Sequence, residues 1–379
     1  MNFKLTKQQQ MVKLAAERFA REVCAPIAAE IDREHRHPKE TFDLLYKYGF
    51  VALGFPEEYG GAGVDRIAQV IVVEEIAKVC MATASILSIH QATATCINNY
   101  GTKEQKDKYL RKLIADGVMV AFALTEPNAG SDASNIQTTA VEDGDCYVLN
   151  GTKCFTSGAG VAGVYVILAL TDPAQKIRGI TAFIVDADTP GFRIGKIEEK
   201  MGICAAQTGE LILDNVRVPK ENILGKVNGG FKLALASIDV SRITVIGAQS
   251  LGLAEGALQL AIDYANKRIQ FGMPISEQQG LQWYFAEMAT RVEATKWLVY
   301  NGAQMMQDGE KYSKNAAMVK LFSSETARIV TERALQIHGG YGFMKDYPLE
   351  RMYRDAKITE IYEGTNEIQK TVIARSVLG

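Results

Sequence analysis

The sequence predicts an α+β protein in three parts. Residues 1–118 read as an N-terminal helical domain, 119–226 as a middle antiparallel β-barrel or sandwich, and 227–379 as a C-terminal domain like a four-helix bundle. Three observations predict this. Apolar residues recur at helical spacing behind capping signals as far as Gly117. Short β-rich runs then follow one another with no helix between them. Long apolar helical stripes return from Phe231 onward.

Thr6 and Gln9 have the spacing of a capping box, in which two side chains satisfy exposed amides at a helix start. Met11, Leu14, Ala15 and Phe19 mark one face of that helix, and Pro26, lacking an amide hydrogen, is expected at or beyond its end. Residues 56–63, PEEYGGAG, read as a loop. Thr102 and Gln105 repeat the capping signal ahead of Leu110, Leu113 and Ile114, and Gly117 stops that helix. Strands are expected at 147–151, 164–170, 180–185 and 210–218, with Asn150-Gly151 as the strongest hairpin signal. Strands without intervening helices argue against a parallel βαβ sheet. Leu281, Phe285, Met288, Val292 and Val299 form one helical stripe, interrupted by Thr295, and read as the core of a bundle. A further long helix is expected over 314–338, ended by Gly339-Gly340.

At 379 residues, 47% hydrophobic and 23% charged, the chain has the composition of a globular protein with a substantial core. With 42 basic and 44 acidic residues, its net charge of −2 aims no strong field at nucleic acid. No apolar run approaches the roughly twenty residues of a membrane span, and the N-terminus lacks a signal peptide's apolar block. Cys24, Cys80, Cys96, Cys146, Cys154 and Cys204 form no CxxC pair, which fits reduced thiols and a cytoplasmic location. His35, His37, His90 and His338 give no metal-ligand set.

The segment RDAKITEIYEGTNEIQ, residues 354–369, combines a carboxylate, Glu363, with an aromatic neighbour, Tyr362, and a glycine, Gly364. Glycine lets a ligand approach the main chain closely. A carboxylate among apolar neighbours has its pKa raised, which suits it to take a proton near neutrality. The same residues are also ordinary turn chemistry. In AFALTEPNAGSD, residues 121–132, exposed loop amides with Thr125 and Ser131 can grip an anionic or carbonyl-rich ligand, or simply form a turn. KRIQFGMPI sets Arg268, Gln270 and Phe271 at the end of a helical stripe, where arginine can meet phosphate or close a helix dipole. GAGVAG, residues 158–163, matches GxGxxG but precedes a strand, so it reads as a hairpin connection and not a dinucleotide fingerprint.

Together the segments are informative. TEPNAGSD, the Asn150-Gly151-x-Lys153-x-Phe155 pattern, Arg268-x-Gln270-Phe271-Gly272, QIHGGYG and RDAKITEIYEGTNEIQ occur in the order found in the acyl-CoA dehydrogenase family. The resemblance spans essentially the whole chain and is strongest to short-chain members of anaerobic bacteria, the butyryl-CoA dehydrogenases and acryloyl-CoA reductases. CMATASILSIH, residues 80–90, and residues 338–365 contribute most to it.

The resemblance implies FAD as cofactor, a short acyl-CoA as substrate, an electron-transferring flavoprotein as partner and a homotetramer. Glu363 is then the base that takes the α-proton while the β-hydrogen leaves as hydride to the flavin, and its own backbone amide polarises the thioester. By the same resemblance Phe122, Leu124, Thr125, Gly130, Ser131, Phe155 and Ser157 hold the flavin ring. Arg268, Gln270 and Phe271 match the phosphate end, Gln336, Gly339 and Gly340 a segment reaching FAD across a subunit interface, and Thr365 and Glu367 complete the set. Ser131, Asp239, Arg242, Tyr362 and Gly364 fall on the acyl-CoA side.

Some family members carry the base just before the arginine matching Arg242; here that position is Ser241, leaving Glu363 alone. Three departures bear on the acyl pocket. Cys204 replaces a common arginine, removing a polar anchor, and FTSG at 155–158 replaces FITN or WITN. RITVIGAQSLG after Arg242 is one residue longer than expected, as a π-bulge requires. An alicyclic or aryl-propenoyl-CoA enzyme on the same fold, and a catalytically silent flavin-binding scaffold, are the alternatives.

Overall fold

The computed structural model describes residues 4–379. Helix α1, Lys7–Phe19, opens on the expected capping box, Thr6 Oγ1 accepting from the Gln9 amide at 3.1 Å and Gln9 Oε1 from the Thr6 amide at 2.9 Å. Pro26 lies beyond the end of α1, as expected, but the helical run continues past it. A π-turn over Ala20–Cys24 joins α1 to α2, Ala25–Glu34, and Pro26 falls in the first turn of α2, where its missing amide is tolerated. Then come α3, Lys39–Lys47, α4, Arg66–Ala77, and α5, Met81–Tyr100. The second capping box starts α6, Lys103–Gln105, which runs through a π-turn into α7, Arg111–Ile114. The expected loop at 56–63 holds one 3₁₀ turn, Glu57–Tyr59.

The middle of the chain is one sheet, built from β1 Val120–Ala123, β2 Thr139–Asp143, β3 Cys146–Ser157, β4 Val164–Leu170, β5 Ile180–Asp186, β6 Phe192–Ile197, β7 Thr208–Pro219 and β8 Ile223–Leu224. Its order is β6-β7-β3-β2-β4-β5-β8, with β1 also paired to β4. The expectation of a purely antiparallel domain needs correcting: β1 and β2 both pair with β4 in parallel, so the sheet is mixed. A parallel pair needs a long crossover, and residues 124–163 supply the one between β1 and β4.

Asn150-Gly151 is not a hairpin. β3 continues through it with a register shift against β7, and Asn150 Oδ1 accepts the Asn215 amide at 2.8 Å. Glycine is required there because a Cβ would lie 2.5 Å from Thr138 Oγ1. The β2–β3 hairpin uses Asp143-Gly144 instead, with Gly144 at φ 59°. GAGVAG leads into strand β4, as expected, but β3 and β4 are not neighbours, so it is a sheet crossover and not a hairpin.

The chain then returns to helices: α8, Gly230–Ser241, a π-turn at Arg242–Gly247, α9, Ala248–Lys267, a small pair β9 Ile269–Gln270 and β10 Met273–Pro274, α10, Gln279–Gln307, and α11, Ser313–His338. Helices α12, Leu349–Ile358, and α13, Asn366–Leu378, close it. On α10 the predicted stripe is buried at Met288, Val292, Thr295 and Val299, while Leu281 and Phe285 are half-buried. Thr295 satisfies its hydroxyl on the Arg291 carbonyl at 2.8 Å. Among the described residues no helix is long and apolar enough to cross a membrane.

Helices α4 and α9 bind the first helical part to the last. Their backbones nearly touch: a Cβ at Gly252 would lie 2.0 Å from the Glu74 carbonyl oxygen, and one at Gly256 2.2 Å from that of Lys78. Around this contact Lys78 bridges Glu75 and Glu255, each at 2.8 Å, Lys13 also pairs with Glu75, and Lys296 with Glu255 at 2.5 Å. Tyr300 donates to Glu74, whose carboxyl burial pushes up to about 8. Three ammonium groups already neutralise the acids, which makes this an interdomain tie and not a cation site. Gly252→Ala is expected to force α4 from α9 and cost about 1–3 kcal/mol, read as a lower urea midpoint.

Candidate active site

Glu363 lies in the short connection between α12 and α13, with a left-handed backbone, φ 57°, followed by Gly364 at φ 86°. The double turn lifts the carboxyl out of helical geometry and points successive carbonyls the same way. Gln369 Nε2 collects them, donating to Gly364 at 2.7 Å and to Glu363 at 3.3 Å. Arg242 Nε also donates to the Glu363 carbonyl, at 3.3 Å, and its Nη1 is paired with Asp239 at 2.7 Å. The expected residues Asp239, Arg242, Glu363 and Gly364 thus form one cluster.

Burial pushes the Glu363 carboxyl up to about 7, against the pull of the Arg242 and Lys320 cations. Its backbone N–H makes no hydrogen bond among the described residues. Tyr362 donates its hydroxyl to Gln249, which donates to Ser88 at 2.7 Å, and its ring packs by Ile89, Ala92, Val245 and Ile246. Thr365 caps α13 through the Ile368 amide at 3.5 Å, and Glu367 is exposed on the first turn.

The loop after β1 is as tight as its glycine and proline imply: Glu126 and Ala129 exchange backbone bonds at 3.3 and 3.0 Å. Beneath it lies a buried ion pair, Lys153 Nζ to Glu126 Oε1 at 2.7 Å. Lys153 also donates to the Leu124 carbonyl at 3.2 Å, and Glu126 accepts the amides of Gln137 and Thr138. Burial pulls the Lys153 ammonium down to about 8, while Lys153 and the amide donors outweigh burial at Glu126 and hold its carboxyl below its usual range. The Cys154 amide donates to the Thr125 carbonyl at 2.9 Å, which joins the segment after β1, with Leu124 and Thr125, to β3 next to Phe155; no bond among the described residues ties Gly130 or Ser131 to Ser157. Phe155 is held at φ 54° and is 64% exposed.

A cleft of about 540 Å³ gathers Arg268, Gln270, Gly339 and Gly340 beside Tyr264 and Tyr341. Gln336 lines a different cleft, with Tyr284 and Arg333, so the chain does not join it to the others. Phe271 projects into solvent, 93% exposed, at φ 51°. No hydrogen bond or ion pair among the described residues connects Arg268 or Gly339 to Glu363 or Thr125.

Comparisons with known proteins coincide with this geometry. The acyl-CoA dehydrogenase N-terminal, middle and C-terminal domain families match residues 6–117, 121–216 and 228–378. The chain belongs to the acyl-CoA dehydrogenase family. It is 55% identical to acryloyl-CoA reductase (NADH) of Anaerotignum propionicum, over 100% of this chain and 96% of the relative. The structure of butyryl-CoA dehydrogenase from Megasphaera elsdenii superposes with a TM-score of 0.98 at 42% identity, covering 100% of each chain. A chain in a structure of the electron-transferring flavoprotein of Acidaminococcus fermentans, described in terms of flavin-based electron bifurcation, matches with the same score at 48% identity and full coverage of both.

Members of this acyl-CoA dehydrogenase family are FAD-dependent oxidoreductases, and the residues here fit that group. Arg268 faces the Gly339–Gly340 cleft with no carboxylate at ion-pair distance among the described residues. At Gly130, Gly339 and Gly340 a Cβ would meet nothing within 4 Å, leaving the main chain open to a ligand. Thr156 Oγ1, next to Ser157, is buried without a hydrogen-bond partner.

The sequence reading missed the groups that support the site. Glu126 and Lys153 lie inside recognised motifs but were not read as a pair. Lys320, on α11, donates to Asn366 Oδ1 at 2.6 Å, and Ser324 to the same oxygen at 3.0 Å. A lysine inside the buried face Ala316, Ala317, Ser323, Ala327 was the available signal. The anchor thought lost at Cys204 exists from the other side. Arg354 pairs with Asp32 and Glu350, each at 2.7 Å, and donates to the Met201 carbonyl at 2.9 Å. The buried Asp355 accepts the Ile203 amide.

Glu126→Gln removes the carboxylate opposing Lys153. The lysine is expected to go neutral or lose its place, loosening residues 124–131. A fall in the flavin-to-protein absorbance ratio, with a loss of about 3–5 kcal/mol in stability at most, is the outcome to check.

Proposed function

We propose that this chain exchanges two hydrogens between a short acyl-CoA and a flavin, as an α,β-dehydrogenase or, in reverse, an enoyl-CoA reductase, with Glu363 as the proton-transferring residue. One observation carries the reading: the half-buried Glu363, whose carboxyl is pushed up to about 7, has an unengaged backbone N–H in the same left-handed turn. FAD, when bound, supplies the two-electron chemistry at the β-carbon. The α-proton is acidic only if the thioester oxygen is polarised, and the Glu363 amide is a fixed donor for the charge that develops there. Arg242 and Gln369 fix the carbonyl of the same residue, holding carboxyl and amide in register. With its carboxyl near 7, Glu363 is present both as acceptor and as donor at neutral pH, which suits either direction.

The pocket supports a short acyl group. The Arg242–Gly247 π-turn brings Val245 and Ile246 against Tyr362, whose hydroxyl is tied through Gln249 to Ser88. These groups pack around the Tyr362 ring next to Glu363, which supports a short acyl group there. Exposed Phe271, Phe343 and Trp283 support assembly into a homotetramer, in which Gln336, Gly339 and Gly340 reach a flavin held by another copy. An electron-transferring flavoprotein is the proposed electron partner, supported by the relative from Acidaminococcus fermentans. Six free cysteines fit a cytoplasmic location.

Glu363→Gln keeps the shape of the turn but cannot take a proton. Flavin content should be unchanged while bleaching by butyryl-CoA slows by about 10²–10⁴-fold; near-normal bleaching overturns the assignment. In the parent enzyme, dehydrogenation needs the carboxylate, so its rate should rise with pH through about 7. Enoyl-CoA reduction needs the acid and should fall over the same range. Stopped-flow rates in both directions between pH 5.5 and 8.5 test the sign.

A further inference from the structure

Lys320 is fully buried on α11, an unusual place for an ammonium group. Its partner is a neutral one, Asn366 Oδ1 at 2.6 Å, and among the described residues no carboxylate lies within ion-pair distance. Asn366 is the first residue of α13 and the third after Glu363, and its own amide donates to the Glu360 carbonyl at 3.1 Å. Lys320 therefore holds the far end of the turn that Arg242 and Gln369 hold at the near end. The other cation facing the base, Arg242, is matched by Asp239 at 2.7 Å.

We infer that Lys320 is a positioning residue for Glu363: it fastens the turn through Asn366 and contributes a positive charge, unmatched by a carboxylate, that favours the charged form of the base. The inference rests on Glu363 being the base. The charged groups facing Lys320 are Arg242 from the π-turn, Glu360 after α12, Glu363 itself and Glu367 on α13. Those facing Glu363 are Arg242 and Lys320, with the Tyr362 hydroxyl beside them. Burial, with Arg242 adding to it, pulls the Lys320 ammonium down to about 7 against the three glutamates. Lysine and base thus titrate over one range, and the protonation of each depends on the other.

Lys320→Gln retains a donor for Asn366 and removes the charge. In the flavin-loaded full-length enzyme, the midpoint of the dehydrogenation rate against pH should move up by about one unit, a rate about tenfold lower on the acid side. The enoyl-CoA reduction profile should move up with it, so reduction becomes faster above neutrality while dehydrogenation becomes slower below it. A purely structural lysine would depress both directions alike and leave the midpoints in place; either result overturns the inference. Should Lys320→Gln fail to hold flavin, Asn366→Asp decides, because a carboxylate at the lysine's own partner pairs with its charge and cancels it while the lysine stays in place. It should shift both midpoints upward, and unmoved midpoints reject the role. Glu363→Gln, run in parallel, keeps the two readings apart. A midpoint that persists in it refutes Glu363 as the base, whereas one that vanishes there yet stays fixed in Lys320→Gln refutes only the lysine's role.

Discussion

The Glu363 carboxyl, half-buried in its turn, has to keep from losing its charge for good and from being neutralised by a permanent partner. A direct ion pair would drive Glu363 well below neutrality, and an apolar pocket alone would keep it protonated. The chain avoids both by attaching its cations to other groups of the turn, a backbone carbonyl and a side-chain amide, and not to the carboxylate. Arg242 reaches the Glu363 carbonyl and Lys320 reaches Asn366, so the positive charges act at a distance. The left-handed backbone at Glu363, a strain of roughly 1–2 kcal/mol, permits this arrangement. It turns the carbonyls of 363 and 364 toward Gln369 while leaving the Glu363 amide without a hydrogen bond among the described residues.

That turn is only as steady as the helix leading into it. Helix α12 carries Arg354 and Asp355, which grip the segment around Met201 and Ile203, while Arg354 also pairs with Asp32 at the end of α2. All three parts of the chain meet at this point. The same middle segment continues to Gln207, whose carbonyl accepts the Gly158 amide at 2.8 Å, next to Ser157. A continuous set of backbone bonds and buried charges therefore relates the Glu363 turn to the Ser157 segment, the proposed proton-transferring and flavin sides of the site. Proton and hydride transfer at adjacent carbons depend on that relation, since misplacement by about 1 Å can cost 10²-fold.

Helix starts, the β-rich middle and the glutamate turn were legible because each is written in local chemistry. Thr6–Gln9 and Thr102–Gln105 specify caps within one turn, and the extra residue after Arg242 announces a π-turn. Asn150-Gly151 misled because a tight turn and a close backbone approach both call for glycine, and only the position of Thr138 distinguishes them. Parallel pairing of β4 with β1 was hidden for a similar reason, since strand direction depends on a crossover and not on alternation. The supporting ion pair and clamp were least legible. Lys153 finds Glu126 across 27 residues and Lys320 finds Asn366 across 46, and a sequence pattern shows a buried cation without its partner.

The π-turn explains why both cations face one base. Inserting a residue between α8 and α9 shifts the hydrogen-bond register, and Thr244 takes up the Val240 carbonyl at 3.1 Å. Arg242 can then meet Asp239 behind it and the Glu363 carbonyl in front, while Val245 and Ile246 reach the Tyr362 side. The turn ends on Gly247, where a Cβ would lie 2.6 Å from Val319 Cγ1. That close approach presses the π-turn against α11 at the residue before Lys320. Arg242 and Lys320 are therefore set by a single helix contact, and their spacing about Glu363 is fixed by the absence of a side chain at Gly247.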